Sequence, residues 1–478
     1  MTAFTRRSFL GAMLAPQPRT SVLFITVDDL RPQLGCYGDR FAKTPNIDRL
    51  ASRGVVFERA YCQMALCSPS RTSFLTGLRP DTTKVYDLTT HFRTALPGAI
   101  TLPQLFKNNG YYSHGIYKVF HLAGTAPTVG NMDDPISWSD AQELPKTGVY
   151  GPEGQALLEA DMEAYRRDRA AGIIRPVRSL AMEAPEVPDE SLSDGEVARR
   201  AISFLQNHVN EPFFLGVGLY KPHLPFVAPK KYWDMYKPEE LRLPDNRSTP
   251  RGAPPYSVVD TAELRNFTDI PKEGPITEEL GKRLLHGYLA SISYIDAQIG
   301  LVLDELDRLK LADHTVVVLL GDNGYQIGEH GMWARKHTNF ETSARVPLII
   351  APPRFDRGFK SRTVVELLDV YPTVASLCGL KPPSNLEGED LRRALNQPDP
   401  NWRRAAYTQY PRGKFMGRSV TDGRFRYTEW AAPGQAPDAV ELYDHSNDPQ
   451  ENFSVAAEPK YAPEAARMKK LLHREIKL

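Results

Sequence analysis

The sequence predicts an α/β fold, with a large, mostly parallel central sheet flanked by helices and a smaller C-terminal α+β subdomain containing an antiparallel sheet. Three observations carry this. The runs Ser21 to Val27 (SVLFITV), Phe213 to Leu219 (FFLGVGL) and Thr315 to Leu320 (TVVVLL) are continuous, apolar and too short for helices, as strands buried on both faces are. Amphipathic helical patterns lead into the second and third of them. Beyond about Asn401 the texture changes to short strand-like pieces (RFRYTEW, AVELYD) separated by Gly, Asp and Asn, and then a charged helix from Pro463. The division that follows is a main domain over 20–400 and a C-terminal subdomain over 401–478, with 1–19 standing apart.

In chain order, Arg6-Arg7 precedes a short apolar run, Phe9 to Ala15, which resembles a twin-arginine export signal and implies a periplasmic or secreted protein. A disordered N-terminal tail is the plain alternative. No later stretch reaches the 18 apolar residues that a membrane span requires. Thr44-Pro45 starts a helix, with Ile47, Leu50, Ala51 and Val55 at helical spacing. The segment GYYSHGIYKVFH is alternating and apolar and ends in Lys118 and His121. Residues 131–190 are rich in Pro, Gly and charge and read as long loops with short helices. Ser193 is placed to cap a helix carrying Val197, Ala201, Leu205 and Val209. A second proline-rich insertion covers about 224–275. Leu284, Tyr288, Ile292, Ile295, Ile299, Leu303 and Leu306 then share one face of a long helix. A strand over Val346 to Ala351 and a helix over Val364 to Leu377 complete the main domain.

Composition narrows the function. With 59 basic and 58 acidic residues the chain is almost neutral, so nothing marks nucleic acid or an anionic membrane as its partner. Four cysteines in 478 residues, none at CxxC spacing, are no disulfide scaffold and no zinc-thiolate site. Prolines number 40, about 8% where about 5% is ordinary, which agrees with long ordered loops.

The chemistry gathers at strand ends. SVLFITV stops at Asp28-Asp29, and TVVVLL at Gly321 followed by Asp322-Asn323. An aspartate after a strand often only caps a turn, but two such ends side by side supply three carboxylates and an amide. That all-oxygen set suits a hard divalent cation, calcium or magnesium. FFLGVGL likewise delivers Lys221-Pro222-His223. Between these strands lies Cys67-Ser68-Pro69-Ser70-Arg71, with the helix-like run TSFLTG behind it, which puts Cys67 at a helix N-terminus where negative charge is favoured.

These residues resemble the formylglycine-dependent sulfatases of the alkaline phosphatase superfamily. CSPSR fits the C-x-P-S-R signature of that family and TGLRP follows as its second half would; VDDLR, TPNIDRLA, GDNG and DVYPTVASL agree in order and spacing. The resemblance runs from Ser21 over nearly the whole chain and implies an alkaline phosphatase-like fold. VDDLRPQLGCYGD, RPDTTKVYD, GYYSHGIYKVFH, FFLGVGLYKPHLPF and IGEHGMWARKHTNF look most like the iduronate-2-sulfatase branch. The chain departs from that branch at Asn323, where human-type enzymes have histidine, and at Tyr325, where they have tryptophan.

The resemblance implies roles for individual residues. Cys67 would be oxidised by a formylglycine-generating maturase, and its hydrated aldehyde would attack sulfur. Asp28, Asp29, Asp322, Asn323 and residue 67 would hold the metal, calcium in preference to magnesium. Arg71 would steady the nucleophile, and Lys118 and Lys336 would bind sulfate oxygens. His223 would protonate the leaving sugar alcohol, and His121 would act as base when sulfate departs. The substrate would be a sulfated saccharide, a 2-O-sulfated uronate of a glycosaminoglycan or a similar polysaccharide. Two rival readings use the same scaffold. One is a phosphatase or phosphonate-ester hydrolase; the other is a non-catalytic binder of sulfated polysaccharide in which Cys67 stays a thiol.

Overall fold

The computed structural model describes residues 19–122, 132–173, 175, 177–259, 263–397 and 405–475. Arg6-Arg7 and the rest of the export-signal expectation lie outside the described residues. So does the expected boundary between 400 and 401.

The main domain contains, in order, β1 (Ser21–Val27), α1 (Pro45–Ser52), β2 (Val55–Tyr61), α2 (Cys67–Thr76), β3 (Tyr112–Tyr117), α3 (Pro152–Ala170), α4 (Ser193–Asn207), β4 (Phe213–Leu219), α5 (Glu278–Arg308), β5 (Thr315–Gly321), β6 (Arg345–Val346), β7 (Leu348–Ala351), β8 (Phe359–Glu366) and α6 (Val370–Leu377). Among the described residues its sheet has eight strands and is mainly parallel. β5, β1, β4 and β3 lie side by side in that order and all point the same way, and β8 runs parallel to β2. Only β6 and β7 run against the rest, pairing antiparallel with β2 and, for β7, with β5.

Side chains leave a strand alternately to its two faces, and β1 shows it. Leu23, Ile25 and Val27 enter one core with Ile47 of α1, Val197 and Leu205 of α4, and Leu284, Ile292 and Leu303 of α5. Val22 and Phe24 enter the other, with Phe74 and Leu75 of α2 and Val370 and Val374 of α6. Two helical layers therefore cover both faces, which is why the strands read as unbroken apolar runs.

Several elements differ from expectation, each for a local reason. Val55 does not continue α1: Arg53 and Gly54 end the helix and Val55 opens β2. The segment 131–190 contains the 19-residue α3, whose pattern is weak because only Gly154 and Tyr165 along it are buried. Ser193 is the first residue of α4, Leu192 is its cap, and Val209 lies beyond its end. Pro347 divides the expected strand 346–351 into β6 and β7. Val364 to Glu366 finish β8, and the helix begins only at Val370 after a short turn.

Toward the C-terminus, β9 (Ala406–Arg412), β10 (Phe415–Thr421), β11 (Phe425–Ala431) and β12 (Ala439–Asp444) form a separate antiparallel sheet. Helix α7 (Ala462–Glu475) covers it, with Met468 and Leu472 packed among Val420, Tyr427 and Leu442. Among the described residues no helix is long and apolar enough to cross a membrane.

Candidate active site

Register places the acidic residues. Val27 of β1 stands opposite Gly321 of β5 and Leu219 of β4, so Asp28-Asp29, Asp322-Asn323 and the Tyr220 to His223 loop leave the sheet together at its carboxyl edge, the usual ligand crevice of an open α/β sheet. The amides of Asp28 and Asp322 extend the ladder by donating to Leu219 O and Val27 O. Asp29 takes a left-handed φ of 57°, a conformation aspartate tolerates better than most residues, and its amide donates to Asp322 Oδ1 at 3.0 Å. Oxygens of Asp28, Asp29 and Asp322 come within 4.8 Å of one another, as do ligand atoms of Asp28, Cys67 and His223. Gly218 matters beside them, because a Cβ there would stand 2.0 Å from the Lys118 carbonyl carbon. Its absence lets the segment after β3 lie close to β4.

Cys67 is the first residue of α2, and all ten residues of that helix are buried. No side chain caps its N-terminus, so the amides of its first turn have no side-chain acceptor. Burial, and then the charge of Asp28, push the Cys67 thiol well above the usual range. An ordinary cysteine here stays a protonated, unreactive thiol.

Three cations answer the three carboxylates. Fully buried Arg71 donates from Nε to Asp322 Oδ2 at 2.8 Å and from Nη2 to Asp28 Oδ1 at 3.1 Å. It also donates to Val119 O at 3.1 Å and to the Lys118 carbonyl. Lys118 Nζ donates to Asp28 Oδ2. Lys336 Nζ meets both Asp29 oxygens, at 2.6 and 2.7 Å. Burial works against the charge of Asp28, yet Lys118, His223 and Arg71 hold it well below the usual carboxylate range. Burial prevails at Asp29 and Asp322, raising both, the latter to about 7 in spite of Arg71.

These oxygens fit a divalent cation. Two of the three carboxylates are pushed toward holding a proton, so the cluster is short of positive charge. Asn323 donates from Nδ2 to Asp29 Oδ1 at 2.7 Å, while its own Oδ1 is buried with no hydrogen-bond partner. An orphan amide oxygen beside three carboxylates is a hard-cation donor set. Glu341, His445 and Glu451 also converge within 4.8 Å. Arg426 binds both of those glutamates, at 2.5 and 2.8 Å, which makes that cluster an ion-pair network.

Two histidines border the site. His223 donates from Nδ1 to Leu224 O at 2.7 Å and turns Nε2 toward Asp29 Oδ2 at 3.7 Å and Glu263 Oε1 at 3.6 Å. Burial, followed by Lys336, lowers it to about 4. His121 is lowered to about 2 by burial and then Lys118, and its Nδ1 is buried without a partner. Asp28, Asp29, Cys67, Arg71, Lys118, His223, Asp322, Asn323 and Lys336 thus come together at one edge, with His121 near enough for Lys118 and Asp28 to act on it. Sequence reasoning missed two others. Asp194, in the first turn of α4, accepts the amides of Tyr220 at 2.6 Å and Lys221 at 3.0 Å and so fixes the His223 loop; an acid in the first turn of a helix was its only signal, and Glu196 beside it shares that signal. Glu263 lies in an irregular insertion with no pattern to betray it.

The sulfatase family profile matches residues 20–380, and that of the N-sulphoglucosamine sulphohydrolase C-terminal region matches 328–477. The chain belongs to the sulfatase family. The iduronate 2-sulfatases of Mus musculus and Homo sapiens are each 34% identical to this sulfatase, over 91% of its chain and 90% of theirs. Among solved structures, the phosphonate monoester hydrolase of Agrobacterium radiobacter superposes with a TM-score of 0.76 at 24% identity, covering 96% of this chain and 95% of the other. That likeness concerns the fold, which this sulfatase shares with alkaline phosphatase-like enzymes. The protein is an enzyme that hydrolyses sulfate esters.

Proposed function

We propose that this sulfatase removes the 2-O-sulfate of a uronate in a sulfated saccharide, using formylglycine derived from Cys67 and a divalent cation, calcium in preference to magnesium. One joint observation carries the reading. Three carboxylates, an orphan amide oxygen and a helix-terminal cysteine meet at one sheet edge, in a chain 34% identical to iduronate 2-sulfatases.

Asp28, Asp29, Asp322, Asn323 and residue 67 would hold the cation, which when bound polarises the sulfate oxygens and acidifies the nucleophile. Formylglycine at position 67, hydrated, would supply the attacking hydroxyl. Arg71 fixes the relative positions of Asp28 and Asp322 and thus of everything bound to them. Lys118 and Lys336, which sit on Asp28 and Asp29, are within reach of a sulfate entering between them and neutralise its oxygens as negative charge shifts. His223 points Nε2 into the cleft and gives its proton to the departing sugar oxygen. Its lowered pKa of about 4 means that the sulfate anion, together with Glu263, helps it keep that proton. His121, held neutral, accepts a proton as sulfate leaves.

The test has two arms, on protein made in a host with the formylglycine-generating maturase. Intact-peptide mass spectrometry reads residue 67, and a desulfation screen covers disaccharides that vary in sulfate position and uronate epimer. Formylglycine at 67 and preferential loss of a uronate 2-O-sulfate are expected. An unmodified Cys67 in active protein, or faster release of a hexosamine sulfate, overturns the respective half.

A further inference from the structure

Arg335 and Arg412 flank the site without serving the metal cluster. Arg335 ends the short strand Trp333–Arg335 directly before Lys336 and is partly exposed, and its Nε is buried with no hydrogen-bond partner. Arg412, at the end of β9, donates to the carbonyls of Tyr256 and Pro411, both at 3.1 Å, and of His337. Among the described residues neither guanidinium has a carboxylate partner, although the two are close enough that Arg335 adds to the lowering that burial imposes on the Arg412 pKa. A guanidinium nitrogen buried without a partner, as Arg335 Nε is, is unusual, because partly buried charges are normally paired.

Arg412 belongs to a wall that borders the reacting groups, and Arg335 directly precedes Lys336. The Arg412 guanidinium lies 4.5 Å from the Tyr410 ring centroid, and His337 stacks on that ring at 5.5 Å. Tyr410 packs against Met64 and Leu66, which lead into Cys67. On the His223 side stands Glu263, whose charge repels a second anionic group of the substrate. For a sugar whose sulfate lies by Lys336, the preceding residue Arg335, which among the described residues has neither a carboxylate nor a carbonyl partner for its guanidinium, offers a cation to another anion of the substrate.

This inference rests on the uronate reading above and deepens it. We propose that Arg335 is the specificity residue that receives the carboxylate of the sulfated uronate, with Arg412 and Tyr410 bracing the His337 turn so that the guanidinium fork is held in position. A guanidinium suits the role because its paired N–H groups match a carboxylate in plane.

The experiment compares wild type, R335M and R335K on a 2-O-sulfated uronate disaccharide, on its carboxyl-reduced counterpart and on 4-methylumbelliferyl sulfate. Wild type should prefer the carboxylated disaccharide over the reduced one on the order of 10- to 100-fold in kcat/KM, the range of a charge-assisted pair. R335M should erase that ratio, mostly through KM, and R335K should restore part of it. Aryl sulfate turnover and the melting curve report whether each variant is folded. Equal turnover of the two disaccharides by wild type, or an unchanged preference in folded R335M, overturns the carboxylate role and leaves the sulfatase reading standing. Wild type that cleaves the aryl sulfate but no sulfated uronate overturns the uronate reading and this inference with it.

Discussion

Arg71→Met tests whether the buried charges are organised as described. The substitution keeps most of the side-chain volume but removes the one guanidinium shared by Asp28 and Asp322, all three side chains being fully buried. It leaves three carboxylates facing two lysines, and it strips the hydrogen bonds Arg71 makes to Asp322 at 2.8 Å and to Asp28 at 3.1 Å. Removing one member of a buried ion pair costs about 3–5 kcal/mol, a large share of the roughly 5–15 kcal/mol that holds a protein folded. Urea denaturation in chelator-treated buffer, followed by tryptophan fluorescence, should show a loss of that size. Calcium should then recover part of it if, as proposed above, the same oxygens hold the cation in the folded state only; at 100 times Kd the recovery is about 2.7 kcal/mol. R71M within about 1 kcal/mol of wild type without metal, or a variant that calcium fails to stabilise, would refute the account of a carboxylate cluster waiting for positive charge.

Other expectations follow from the same geometry. H223Q should slow release of a sugar alcohol on the order of 10²- to 10⁴-fold but affect 4-nitrophenyl sulfate much less, since that leaving group needs no proton. Because burial and Lys336 lower His223 to about 4, the proton it donates is lost as pH rises through that value, so wild-type kcat/KM for the sugar sulfate should decline above about pH 4. A pH profile that is flat from 4 to 7 would sink the acid role. K336A should reduce turnover of the sulfated uronate by orders of magnitude, and near-normal rates would remove Lys336 from the sulfate pocket. His445, 2.9 Å from Glu451, has its pKa raised, the pull of Glu451 and Glu341 outweighing burial. The stability it adds is full below its unfolded value of about 6.5 and is lost as pH rises through the raised folded one. The difference in stability between wild type and H445Q, read by denaturation, should therefore shrink on going from pH 6 to pH 9; a constant difference would mean that the imidazolium plays no part.

Much of this was legible because the central strands are buried on both faces. A run such as TVVVLL admits few interpretations, and polar residues that follow it abruptly, Asp322-Asn323 or Asp28-Asp29, stand out. Elements with one wet face were harder to see. Helix α3 buries so little that charge dominates its composition, and β2 was absorbed into the helical spacing of α1 because Val55 happens to fall four residues after Ala51. Arg335, Arg412 and Glu263 were invisible for another reason. Their significance lies in partners present or missing across long sequence distances, and a single chain of letters carries no record of which arginines lack an acid.

The burial of α2 sets a constraint on timing. Cys67 is 2% exposed; Asp322 and Lys336 stand near it, and Tyr410 of β9 packs against the neighbouring Leu66, all of them more than 250 residues further along the chain. Any enzyme that acts on this thiol has to reach it before those later segments have been made or have docked. If Cys67 is the precursor proposed above, the finished fold closes over it, and a molecule that folds with the thiol intact would have to unfold to be converted.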